Sequence, residues 1–125
     1  MATDFRDLLK EEVRHEKWGR TFKEINVQGM FSMSVQASDA HASIPAETLD
    51  DPREYEAFEV QLSQKTVPFI EMPGYGAWEE LCKKEWASRF ERGYIAGIME
   101  AAEVPVDVVQ RIYEDLDDYA NNHVM

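Results

Sequence analysis

The apolar positions of this chain change their period several times, and each period predicts an element. Over residues 4–18, Phe5, Leu8, Leu9 and Val13 recur at helical spacing and Trp18 extends the stripe. That spacing predicts an amphipathic helix, with Thr3 or Asp4 as its cap. Over residues 24–37 the period falls to two. Ile25 and Val27 alternate with polar residues, and after Gly29 come Phe31, Met33, Val35 and Ala37, interleaved with Ser32, Ser34 and Gln36. This predicts two short half-buried strands with a turn or bulge at Gly29. Residues 38–54, rich in Ser, Asp and Pro, predict a long loop. Phe58, Val60 and Leu62 then alternate with Glu59 and Gln61, a strand that pairs antiparallel with the first across the loop. Residues 67–70 predict a further strand, confined to an edge by Pro68. After the turn at residues 72–76, Trp78, Leu81, Cys82, Trp86 and Phe90 return to a helical stripe, which Ile95, Ile98, Met99 and Ala102 resume beyond Gly93. Pro105 suits the first position of a last helix whose Val108, Val109, Ile112, Tyr113 and Leu116 face inward. The expected fold is α+β: an N-terminal helix, a small antiparallel β-sheet and a C-terminal helical hairpin of helix-turn-helix type, within a single domain spanning residues 1–125.

Composition narrows the class. With 44% apolar and 11% aromatic residues, the chain can fill a core despite its charge, which excludes disorder. Cys82 is the one cysteine, so no intramolecular disulfide forms. The first residues form no apolar leader, and no apolar run approaches the ~18 residues of a membrane span. The expectation is a cytoplasmic protein without a membrane partner.

Charge is segregated. Residues 1–24 hold six acids and six bases, and residues 72–99 hold four of each. Residues 25–71 hold eight acids and two bases, and residues 100–125 seven acids and one base, so −6 and −6 supply the whole net charge of −12. Such surfaces repel nucleic acid and attract basic protein patches.

Residues 95–112 match a helix-turn-helix in spacing, with a small residue in the first helix, Val104 after the turn, and Val109 and Ile112 packing the second. Glu103 stands where that motif usually has Gly. The readout positions would be Val106, Asp107, Gln110, Arg111 and Glu114, one base against two acids, which cannot neutralise phosphates. Further on, Glu114, Asp115, Asp117 and Asp118 crowd the end of the last helix, where carboxylates oppose the macrodipole. Glu114, Asp117 and Asp118 share one side, with Glu100, Glu103 and Asp107 upstream. Stability does not account for these acids. Together they suit the basic groove of a nucleic-acid-binding protein, and Tyr75, between two glycines, is a candidate aromatic anchor.

The 38–54 loop carries Ser38, Asp39, His41 and Ser43, then Asp50, Asp51 and Glu54. One histidine among scattered acids is a poor metal set, and the plain expectation is a polar loop capping its own backbone. A small metal-assisted hydrolase working through this loop is therefore the weakest reading. His15 and His123 have no companion. Cys82 sits on an apolar stripe as a buried thiol, and Gly74–Gly76 lacks the lysine of a phosphate loop.

The stretch Val35-Gln36-Ala37-Ser38-Asp39-Ala40-His41-Ala42-Ser43-Ile44-Pro45, followed by Tyr55-Glu56-Ala57-Phe58-Glu59-Val60, resembles small uncharacterised bacteriophage proteins. The resemblance implies an origin and no chemistry. The expected function is that of an acidic, non-enzymatic protein-binding module: a phage-encoded DNA mimic that inhibits a basic host protein of nucleic-acid-binding type. It has no catalytic residues, no cofactor and no metal, makes no direct contact with nucleic acid, and is compatible with a homodimer. The competing reading is a helix-turn-helix regulator that binds DNA as a dimer.

Overall fold

A run of Phe31, Met33 and Val35 alternating with serines is a strand with one apolar face, and in the computed structural model it becomes the middle of a sheet. The structure describes residues 3–15, 19–29, 31–64, 83–92 and 98–122. Among these, β1 (Glu11–His15) and β2 (Gly19–Phe22) form a two-stranded antiparallel sheet. β3 (Ile25–Val27), β4 (Phe31–Gln36), β5 (Ala57–Gln64), β6 (Glu91–Arg92) and β7 (Ile98–Pro105) form a second sheet, in the order β3-β4-β5-β7-β6. Every pairing in it is antiparallel. One long helix, α1 (Val106–Asn122), follows β7.

The molecule is layered, because alternation gives each strand two unlike faces. Phe31, Met33 and Val35 of β4, Val60 and Leu62 of β5, and Ala101 and Val104 of β7 join Val109, Ile112, Leu116 and Ala120 of α1 in one buried cluster. The Phe31 and Tyr119 rings meet edge to face at 5.8 Å. Residues 32, 34 and 36 of β4 face the other way, toward the β1–β2 hairpin. There the Gln36 side chain acts as a piece of strand: its Oε1 accepts from the Phe22 N–H at 2.7 Å and its Nε2 donates to the Phe22 carbonyl at 2.8 Å. Both backbone groups of Phe22 are thereby satisfied in a buried place where leaving them open costs about 1–3 kcal/mol each. The hairpin and α1 thus lie on opposite faces of the five-stranded sheet.

The strand pattern over residues 25–37, the loop at 38–54 and the antiparallel return strand are where the alternation predicts them. Two parts of the expected fold are overturned. The N-terminal helix over residues 4–18 is absent. A 3-10 turn, Phe5–Leu8, is capped by Asp4 and followed by the hairpin. The Arg6 guanidinium bound to Asp4 lowers the pKa of that carboxyl to about 2. Phe5 is fully buried with its ring 5.5 Å from that of Phe58, whereas Val13, expected on the same stripe, is 54% exposed. The stripe is not continuous, and like charges at Arg6/Lys10 and Asp7/Glu11 give a helix no support. The C-terminal helical hairpin is also absent. Residues 98–105 are strand β7, so the helix-turn-helix is not formed; Pro105 ends that strand, and the helix begins at Val106. Short apolar runs do not distinguish a buried strand from a buried helix, and here the free edge of β5 decides. Trp86, placed on a helix by the same reasoning, lies in a 3-10 turn, Glu85–Arg89. The strand expected at residues 67–70, Trp78, Leu81 and Cys82 lie outside the described residues.

The register between β5 and β7 slips between Phe58↔Val104 and Val60↔Ala101, which inserts an extra residue into β7. Glu103 takes φ 48° at this bulge, and its freed N–H donates to the Ala42 carbonyl at 2.9 Å. The bulge therefore ties the long loop to the sheet. Gly19 meets the same loop from the hairpin side. It has φ 77°, and a Cβ placed on it would stand 2.4 Å from Ser38 Oγ and 2.9 Å from Ala40 Cβ. These two positions predict opposite outcomes in chemical denaturation. Gly19→Ala combines left-handed strain with overpacking and should lower stability by about 2–4 kcal/mol. Glu103→Gly relieves the same kind of strain at an exposed site and should raise stability by up to about 1 kcal/mol.

Candidate functional site

Helix α1 has a clean division of faces. Val109, Ile112, Leu116 and Ala120 are buried, at spacings of three and four, and Asp107, Arg111, Glu114, Asp118, Asn121 and Asn122 form the exposed stripe opposite. Carboxylates therefore dominate the outer stripe, with Arg111 as its single base. Asp107 lies in the first turn, where the helix dipole favours it; Glu114 stands at the middle of the helix and Asp118 just before its last turn, where the dipole gives them no support. Tyr113, Glu114, Asp115, Asp117, Asp118 and Asn121 line a depression of about 350 Å3. Burial, with Asp117 nearby, pushes the Tyr113 hydroxyl above its ordinary pKa.

The acids expected to act together do not all do so. Asp115 accepts from Trp86 Nε1 at 2.8 Å, so it anchors the 85–89 turn to the helix. Asp117 Oδ1 accepts from Gln28 Nε2 at 2.8 Å, and Asn121 Oδ1 accepts from the same amide at 2.6 Å. Gln28 thus delivers N–H groups to the helix end from the β3–β4 turn, where it holds φ 52°. Donors from the sheet side offset carboxylates that the dipole disfavours, so Asp115 and Asp117 belong to the fold. Among the described residues, Glu114 keeps only a bond from Gln110 Nε2, at 3.0 Å. That amide also donates to the Thr3 carbonyl at 2.8 Å while its Oε1 accepts from the Phe5 N–H at 2.9 Å. Gln110, a supposed DNA-reading position, is a structural clasp for the N-terminal segment.

Glu100 is separated from the helix altogether. Its neighbour Ala101 points into the core and Glu100 is exposed opposite Gln61, so it stands on the face away from α1. There Glu59, Arg89 and Glu100 rim a depression of about 340 Å3 that Ala101 and Ala102 also line. Glu103 occupies the bulge. Tyr75 lies outside the described residues, as does His123. Among the described residues, no group of three or more His, Cys, Asp and Glu side chains is placed to hold a metal ion.

The 38–54 loop spends its polar side chains on itself. Ser38 Oγ accepts the Ala40 N–H at 3.0 Å and lies 2.6 Å from His41 Nδ1, but Ser38 is fully buried and no nucleophile is presented. What organises the loop is Arg20, which sequence patterning did not single out. Arg20 is 1% exposed. Its Nη1 donates to the Leu49 carbonyl at 2.8 Å; its Nη2 donates to the Ala37 carbonyl at 2.7 Å and to the Tyr55 hydroxyl at 2.9 Å. The guanidinium carbon sits 4.1 Å from the centre of the Phe22 ring, two residues along the same strand face. Nε finds no partner among the described residues. The Tyr55 hydroxyl is a second hub: it accepts the Leu49 N–H and donates to the Glu47 carbonyl, both at 2.6 Å. The only sequence signal for this cage is an arginine two residues before a phenylalanine, which any exposed strand shares. Tyr55→Phe should lower stability by about 1–3 kcal/mol in urea titration, because it strands three groups that the loop buries. In that variant, limited proteolysis should gain a cut between residues 45 and 52 that the parent resists.

Among the described residues, no helix is long and apolar enough to cross a membrane. No family model, no curated protein and no solved structure matches this chain.

Proposed function

We propose that this protein is a non-enzymatic binding module of the cytoplasm whose acidic helix face docks on a basic protein surface of the kind that holds nucleic acid. The observation that carries this reading is the outer stripe of α1. Asp107, Glu114 and Asp118 are exposed at spacings of seven and four residues, and neither Asp107 nor Asp118 is engaged by a base in any ion pair among the described residues. At ~1.5 Å rise per residue, the spacings of seven and four are ~10 and ~6 Å, roughly every third and every second charge along a nucleic-acid strand, whose charges follow at ~3.4 Å of axis. Such a row supplies on-rate and selectivity for a basic groove. Unlike Asp115 and Asp117, these three carboxylates do little for the fold. Inhibition of a host protein by DNA mimicry is the corresponding role.

The test uses a purified basic, sequence-nonspecific DNA-binding protein loaded with a fluorescent duplex. The parent should displace the duplex at low salt and bind no duplex itself. The variant Asp107→Asn/Glu114→Gln/Asp118→Asn should compete about tenfold less well, with a flatter salt dependence. Its melting temperature should change little, since of the three only Asp107 stands in a terminal turn and loses a favourable dipole contact. Equal competition by parent and variant would sink the proposal.

A further inference from the structure

The net charge of −12 makes two copies of this chain repel, except where the charge balances. Two segments balance, residues 72–99 with four of each sign and residues 1–24 with six of each, and the folded centre of the second is the β1–β2 hairpin. Among the described residues, β1 pairs with β2 on one side only. Its residues 11–14 are all exposed, and Val13 at its middle is 54% exposed, the most exposed large apolar side chain among the described residues. A two-stranded sheet with a free edge is the arrangement most open to adding a strand.

The order of residues along β1 identifies the strand that fits. Charge inverts about Val13: Glu11 and Glu12 precede it, and Arg14 follows. We propose that β1 is a self-association edge, on which a second copy of this chain pairs its own β1 antiparallel about a two-fold axis at Val13. In that register Val13 meets Val13 and each Glu12 stands opposite Arg14 of the other copy, so an isologous contact is satisfied twice. Two marginal two-stranded sheets become one of four strands. Charge selects this register among those that keep the two-fold, since a shift of two residues sets Glu12 opposite Glu12 in one direction and Arg14 opposite Arg14 in the other. Arg14 Nη2 already holds Glu11 at 2.7 Å and Asp50 at 2.8 Å, which fixes its side chain beside the edge and leaves Glu12 for the second copy. Because the hairpin and α1 lie on opposite faces of the large sheet, the paired form carries its two acidic helices outward, free for partners.

The test is sedimentation equilibrium of the full chain from micromolar to millimolar concentration in moderate salt. The parent should show a monomer–dimer equilibrium. Glu12→Arg and Arg14→Glu, each alone, should weaken it about tenfold, since both symmetric pairs become repulsive. An equimolar mixture of the two variants should recover a dimer. In the mixed pair the base introduced at position 12 faces the acid introduced at position 14, and the unchanged Arg14 of one copy faces the unchanged Glu12 of the other. Val13→Glu, at an exposed site that tolerates charge, should abolish the dimer with an unchanged far-UV spectrum. A parent that stays monomeric at millimolar concentration overturns the proposal. So does a dimer indifferent to all three substitutions, which is held elsewhere, or a mixture that fails to recover association.

Discussion

The burial of one guanidinium sets the arrangement of nearly everything on one end of this molecule. Arg20 brings a full positive charge to a position that is 1% exposed, and a charge taken from water must find compensation at once. Among the described residues its one carboxylate partner is distant, Glu11 Oε1 at 4.0 Å from Nη1. The compensation comes from carbonyls, a hydroxyl and a ring, and those groups belong to three separate stretches of chain. The loop from residue 37 to residue 55 must therefore close around the hairpin, or the arginine is left bare. This explains why a long polar loop with little regular structure is ordered: its carbonyls are ligands.

Several smaller features follow from that closure. Gly19 must be glycine because the loop passes where its side chain would be. Gln36 imitates a strand for Phe22 because the hairpin must sit against the sheet without a neighbouring strand to pair with. Glu103 adopts a left-handed conformation because its N–H is needed by Ala42 on the far side of the loop. Loop, hairpin and bulge are one cooperative unit, and the sheet with α1 is the body on which it rests.

The same body separates two kinds of surface. The charge-balanced hairpin packs on the β4 part of one face of the large sheet, and the carboxylate-lined helix packs on the other face. A chain so acidic can associate with itself only where bases interleave with acids, and with basic partners only where they do not. The division along the sequence, balanced at residues 1–24 and unbalanced at residues 100–125, is carried into space as two opposite sides.

What the sequence determined alone was whatever alternation or amphipathic spacing states locally. The strands at Ile25–Val27, Phe31–Gln36 and Ala57–Gln64 have two unlike faces, and one face must be buried whatever the neighbours. The inward stripe of α1 and the acidity of its outer face were legible for the same reason. Residues 98–105 were not: Ala101, Ala102 and Val104 fit either period, and only the open edge of β5 made them a strand. Residues 4–15 were misleading because Phe5 and Val13, one helical stripe on paper, fall on opposite sides of the water boundary once Phe58 takes the first ring. Which acids serve the fold was likewise decided in three dimensions, since Trp86 and Gln28 reach Asp115 and Asp117 from 29 and 89 residues away. Arg20 is the clearest case. Local pattern scores a lone arginine in a charged segment as solvated, and only the carbonyls of a distant loop can supply what its burial requires.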